Sequence, residues 1–163
     1  MLHYKIIGNA MQQLLVELNA GQSMYSESGK FLWKTENIEF ETSFNVSDKK
    51  GYFEQKSGSG MLGKFMDTAI NVGKRKLAGE SAAFQVFNVS HGQSGLVAFS
   101  QTIPGQIMAL NIEEYGEFYV QKDGFIAAEN TVDFDIALTK KVSAGMFGGE
   151  GFILEKFSDV GTV

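Results

Sequence analysis

Apolar positions recur along this chain with the two-residue period of β-strands, interrupted every few residues by polar turns. From Gln13, the run Leu14-Leu15-Val16-Glu17-Leu18 passes through Asn19-Ala20-Gly21-Gln22 into Ser23-Met24-Tyr25-Ser26. The turn Glu27-Ser28-Gly29-Lys30 then leads into Phe31-Leu32-Trp33. Ile38-Glu39-Phe40-Glu41-Thr42-Ser43-Phe44 alternates strictly. That spacing predicts Ile38, Phe40 and Thr42 on a face turned to a core and the two glutamates on a face turned to water.

The same grammar returns later. Ile107 to Ile112, a turn at Glu113 to Glu117, Phe118-Tyr119-Val120, a turn at Gln121 to Gly124, Phe125 to Ala128 and Val132-Asp133-Phe134-Asp135-Ile136 follow in the same order. Gly29 and Gly124 lie 95 residues apart, whereas Ile38-Glu-Phe-Glu and Val132-Asp-Phe-Asp lie 94 apart, a one-residue slip inside a turn. A second element recurs too: Gly79-Glu80-Ser81 before Phe84 to Val89 is echoed by Gly149-Glu150-Gly151 before Phe152 to Phe157. The first copy continues through His91 to Gly95 into a return strand, Leu96 to Phe99, whereas the second reaches Val163 where its return should begin. The expectation is two copies, about 13–100 and 107–163, in one β domain spanning 1–163, with a natural chain that continues further.

Between the elements of the first copy, Met61, Leu62, Phe65, Met66, Ala69, Ile70, Val72 and Leu77 follow helical spacing. One inserted amphipathic helix is predicted over 61–77, with Ser47 to Gly60 as a connection. The fold expectation is all-β: an antiparallel β-sandwich or roll of pseudo-repeated strand units plus that helix. Its predicted core is Leu14, Val16, Leu18, Phe31, Ile38, Phe40, Phe84, Val86, Val97, Phe99, Leu110, Ile112, Ile126, Val132, Phe134, Ile153 and Phe157.

Composition narrows the function classes. The 163 residues are 44% apolar and 12% aromatic, enough for a core without disulfides or metals. Cysteine is absent, which removes thiolate chemistry and Cys-based zinc sites and fits a reducing cytoplasm. Met1 to Lys5 runs into patterned sequence without the form of a secretory leader, and charges interrupt every apolar stretch before it could span a bilayer. A net charge of −5 works against nucleic-acid binding, which draws on a basic surface. Nineteen glycines against one proline, Pro104, match a chain of many tight turns.

The run Gly-Gln-Ser-Met-Tyr-Ser-Glu-Ser-Gly at 21–29, Lys76-Leu-Ala-Gly-Glu-Ser81, Leu-Val-Ala-Phe at 96–99 before Pro104-Gly105, and Ala144-Gly-Met-Phe-Gly-Gly-Glu-Gly151 together resemble one family. It is the bacterial and archaeal branch of the altered-inheritance-of-mitochondria 24 family, and the resemblance covers nearly the whole chain. It implies a β-fold similar to the tryptophan RNA-binding attenuator and chains some tens of residues longer. It implies no established molecular function. The inner-membrane role of the mitochondrial branch does not carry over, because no targeting peptide is visible.

Several patterns invite chemistry. Gly58 to Gly63 fits G-x-G-x-x-G and Gly58 to Lys64 begins a P-loop, but Phe65 stands where a magnesium-binding hydroxyl is needed and Glu54 to Ser57 is no buried strand. Glu39 and Glu41, with Asp133 and Asp135, sit two apart on strands, so each pair shares a face and could hold a cation or divide acid and base roles. A solvated strand face explains them more simply. Glu80 and Glu150, each beside a glycine, are further ligand candidates, with turn support the plainer role. His3 and His91 are the two histidines and lack metal-ligand spacing, and Ser94 lacks the nucleophile-elbow pattern. No catalytic residue, metal ligand or cofactor is assigned.

Lys74-Arg75-Lys76 closes the predicted helix, where basic residues complement the helix dipole. Helix 61–77 is also the candidate surface for a protein partner or a membrane face. The leading functional expectation is a non-enzymatic binding or scaffold module that self-associates into a homo-oligomer. The alternative is a small-ligand or metal-binding protein or enzyme using the acidic residues. RNA binding would rest on fold analogy and runs against the charge.

Overall fold

The computed structural model describes residues 2–43, 84–121, 123–138 and 153–163. Eleven strands lie within them: β1 (His3–Ile7), β2 (Gln13–Asn19), β3 (Ser23–Glu27), β4 (Phe31–Lys34), β5 (Ile38–Ser43), β6 (Phe84–Val89), β7 (Ser94–Ser100), β8 (Phe118–Gln121), β9 (Ala127–Glu129), β10 (Val132–Leu138) and β11 (Ile153–Asp159). The one described helix, α1 (Ile112–Tyr115), is a single turn whose first N–H groups are capped by Asn111, its Oδ1 accepting from the Glu113 N–H at 2.9 Å. The predicted helix 61–77, Glu80, Glu150 and the glycine-rich runs 58–63 and 144–151 lie outside the described residues.

All strand pairs are antiparallel, and they form three sheets ordered β1-β2-β7-β4, β5-β6-β3-β9 and β10-β11-β8. The second sheet is the middle layer, and its alternation explains why. Met24, Ile38, Phe87 and Ala127 project from one face to pack with Val16, Leu18, Val97 and Phe99 of the first sheet. Tyr25, Phe84, Val86 and Ala128 project from the other to pack with Phe134, Ile136 and Phe157 of the third. A strand covered on both faces buries odd and even positions alike, so β6 reads Phe-Gln-Val-Phe rather than as a clean alternation. Rings join each core: Phe125 and Phe134 pack on Phe157 with centroids 4.8 and 5.5 Å away, and Phe99 meets Phe87 edge-on at 5.2 Å.

Two registers correspond residue for residue. Phe40 stands opposite Phe87 and Glu41 opposite Val86 in β5–β6, as Phe134 stands opposite Phe157 and Asp135 opposite Lys156 in β10–β11. Met24 opposite Phe87 in β3–β6 has its parallel in Phe118 opposite Phe157 in β8–β11. One shift of 94 residues carries β3 onto β8 and β5 onto β10. The turn after β3 holds Gly29 at φ +90°, and 94 residues later Asp123 holds φ +67°. The aspartate, rather than the neighbouring Gly124, therefore takes the left-handed position, which removes the one-residue slip expected from aligning the two glycines.

Of the expected core, Val16, Leu18, Ile38, Phe84, Val86, Val97, Phe99, Ile112, Val132, Phe134 and Phe157 are buried, and Leu14, Phe31, Leu110 and Ile126 are half-buried. Phe40 is a correction: it is 39% exposed. It lies on β5, an outermost strand of the middle sheet, where its ring stacks on Phe87 and tilts against Phe31 of β4, the edge strand of the first sheet, so the ring is covered only in part. Thr42, expected on the core face, is exposed for the same reason. Residues 107–110, expected as a strand, lie outside any named strand, and only Asn111 forms a bridge, to Thr162. The side chain of Ile153 lies outside the described ones.

Candidate functional site

Glu39 and Glu41 are exposed on β5, opposite Asn88 and Val86. Asp133 is half-buried and Asp135 exposed on β10, opposite Ser158 and Lys156, and one oxygen of Asp135 accepts the Ile136 N–H at 2.8 Å. The two pairs belong to edge strands of different sheets. Among the described residues no three His, Asp or Glu side chains come close enough to hold a metal ion. His3 and His91 are exposed, and the His91 ring nitrogen Nδ1 lies 3.0 Å from the Ser90 hydroxyl.

What the tertiary structure brings together is a different set of polar groups. Tyr25 is fully buried between the middle and third sheets, its hydroxyl donating to the Val132 carbonyl at 3.3 Å. Burial first, and then the charges of Asp133 and Glu155, push its ionisation well above the ordinary tyrosine value of 10.0. The unfolded chain therefore loses this proton at a pH where the folded chain keeps it, so stability present below pH 10 falls as pH rises beyond it. Alkaline titration followed by phenolate absorbance should show Tyr25 ionising together with unfolding. Replacing it with phenylalanine should remove that coupled step.

Lys30 is buried at 5% exposure because three segments converge on its ammonium group. It donates to Gln101 Oε1 at 2.7 Å and to the Asp123 carbonyl at 3.4 Å, and it pairs with Glu27 at 3.3 Å. Gln101 Nε2 in turn donates to the same Asp123 carbonyl at 2.8 Å. A charge removed from water needs such partners. Here they tie the turn after β3 to the end of β7 and the turn before Gly124.

An apolar cavity of about 290 Å³ opens where the first and middle sheets meet β8 and the 106–110 segment. Leu14, Val16, Met24, Leu110, Phe118 and Ile126 form much of its wall, with Gln101, Gln106 and Glu129 as polar neighbours. Glu129 also borders a second, more polar cleft beside Ser23, Asn130 and Gly161. Its carboxylate is a latch: Oε1 accepts the Leu2 N–H at 2.8 Å and Oε2 accepts the Thr162 N–H at 2.9 Å. The cavity lining offers van der Waals contact to an apolar group rather than proton transfer. None of Tyr25, Lys30 or Glu129 was singled out as a site residue from the sequence. The available signal was an unpaired tyrosine within a run of strand character and a lysine just after a turn glycine, and neither spacing says what will cover them.

No described helix is long and apolar enough to cross a membrane. An uncharacterised protein of Streptococcus pyogenes serotype M6 is 29% identical over 147 residues, which cover 89% of this chain and 52% of that protein. This chain thus spans about half the length of the curated relative that it matches. A crystal structure of a Streptococcus pyogenes protein has the same fold, with a TM-score of 0.65 at 21% identity, covering 99% of this chain and 62% of that one. The family model described as mitochondrial biogenesis AIM24 matches residues 4–163, and the chain therefore belongs to that family.

Proposed function

We propose that this chain is a non-enzymatic binding or scaffold module of two like strand units that self-associates. One observation carries the reading. Among the described residues, every large apolar side chain that is exposed within a strand sits on an outermost strand of its sheet: Tyr4 and Ile7 on β1, Leu32 and Trp33 on β4, Phe40 on β5 and Tyr119 on β8. Edge strands of isolated domains are usually blunted by charge, proline or bulges, because open backbone groups beside apolar side chains invite pairing. The shared shift of 94 residues supports a duplicated unit, and repeated units commonly bury their open faces against further units. Sedimentation velocity across a concentration series, with native mass spectrometry, tests the reading: a defined mass above one subunit is expected, and a strict monomer throughout overturns it.

The cavity favours a second reading, a small apolar ligand held between the sheets. Its mark would be an apolar molecule retained by protein purified gently from its own cells. A site built on Glu39 and Glu41 or on Asp133 and Asp135 would instead raise the melting temperature when divalent cations are added.

A further inference from the structure

The two like units differ at one edge. The outer edge of β3 is covered by β9, with Met24 opposite Glu129, Tyr25 opposite Ala128 and Ser26 opposite Ala127, and with the Glu27 N–H donating to the Ile126 carbonyl at 3.2 Å. Carried forward by 94 residues, β3 becomes β8, which ends its sheet with no strand beside it among the described residues. Carried back by 94, β9 becomes β4 and Thr35, and β4 likewise ends its sheet.

Exposure follows the same contrast. Tyr25 and Ala128 are 0% and 2% exposed where β3 and β9 meet, while Tyr119, the counterpart of Tyr25, is 50% exposed. Ala127 is 6% exposed, and its counterpart Trp33 is 44% exposed. Each chain thus carries one filled β3–β9 junction and the two bare halves of another, on different sheets. Even the inner side of the junction corresponds. The Thr35 N–H donates to the Leu96 carbonyl and the Leu96 N–H to Thr35 Oγ1, as the Glu129 N–H donates to the Thr162 carbonyl and the Thr162 N–H to Glu129 Oε2. β4 is therefore already held on one side as β9 is held.

We infer that β8 of one copy pairs antiparallel with β4 of a second copy in the register of β3 with β9. This rests on the self-association reading and names its surface. Phe118 then stands opposite Thr35 of the second copy, Tyr119 opposite Lys34, and Val120 opposite Trp33, with the Gln121 N–H meeting the Leu32 carbonyl. Leu32, Trp33 and Tyr119 lose their exposure in the same step. Because the two edges differ, the contact is head to tail, and repetition produces either a closed ring or a filament.

The chain has no cysteine, so paired cysteines report the contact directly. Strand residues directly opposite each other have Cα atoms within disulfide reach. Mixing Tyr119→Cys with Lys34→Cys under mild oxidation should yield a linked dimer, while mixing Tyr119→Cys with Lys5→Cys on the edge strand β1 should not. Tyr119→Lys places two cations opposite each other and should reduce the oligomer to a monomer, and adding Lys34→Glu should restore it. Wild-type mass retained by Tyr119→Lys, or equal linking in both mixtures, overturns this surface while self-association stands. A wild-type chain that is monomeric at every concentration overturns both.

Discussion

Replacing Phe157 with alanine is expected to lower the unfolding free energy by about 3–5 kcal/mol, the range for emptying a fully buried aromatic site. Phe157 is 0% exposed and lies at the centre of the core between the middle and third sheets. Its ring packs on Phe125, Phe134 and Phe118 with centroids 4.8, 5.5 and 5.8 Å away. The ring is shared by strands of one sheet and by the segment leading to β9 of another, so the surroundings cannot close over the space from one side. Small domains have a total stability of about 5–15 kcal/mol, so the loss takes a large share of it. Urea unfolding would show it as a lower midpoint with an unchanged slope. Phe40→Ala is the matched comparison. Its ring is part of an aromatic stack but 39% exposed at a sheet edge, so its loss should be clearly smaller. Equal losses would mean that the third sheet adds little to the core.

Gly161→Ala should be strongly destabilising. Its φ of +136° is a conformation that side chains rarely adopt, costing about 1–3 kcal/mol. A Cβ there would also lie 2.7 Å from both Glu129 Oε2 and Thr131 Oγ1 and 2.9 Å from Val132 Cγ2. Relief would push away the carboxylate that accepts the Leu2 and Thr162 N–H groups, loosening both ends of the described chain. Overpacking of this kind adds about 1–3 kcal/mol. Gly95 is packed just as closely. A Cβ there would lie 2.7 Å from Ile38 and 2.8 Å from Asn37, the residues 94 before Val132 and Thr131. Gly105, with no atom within 4 Å of an added Cβ and no positive φ, should accept alanine without loss. Thermal unfolding of Gly161→Ala and Gly105→Ala checks the order. A Gly161→Ala melting temperature equal to that of Gly105→Ala would rule out the close packing.

Much of the architecture was legible along the chain because it is local. Alternation in Leu14 to Leu18 and Val132 to Ile136 marked strands, and turn residues such as Gly29 marked where they end. Glu39 and Glu41 are exposed on β5 and Asp135 on β10, whereas Asp133 is half-buried, so alternation placed these four on strands without fixing which of them meet water. Phe40 failed for a definite reason. Alternation tells which residues share a face, but whether a second sheet covers that face depends on chain segments far away in sequence. The same limit hid the middle layer, where Phe84, Val86 and Phe87 are buried on opposite faces of one strand.

Site residues show the division most clearly. Lys30 is buried only because Gln101 and Asp123, 71 and 93 residues away, arrive to receive its charge. Glu129 has its role only because Leu2 and Thr162, at opposite ends of the described chain, meet beside it. The amino-acid pattern by itself marked most of the described strands, their turns and the resemblance to the family. The tertiary structure alone decided which faces are covered, which polar groups lose water and which strands end their sheets among the described residues. Strand periodicity is written by neighbours, whereas burial and pairing are contacts between residues that only folding brings together.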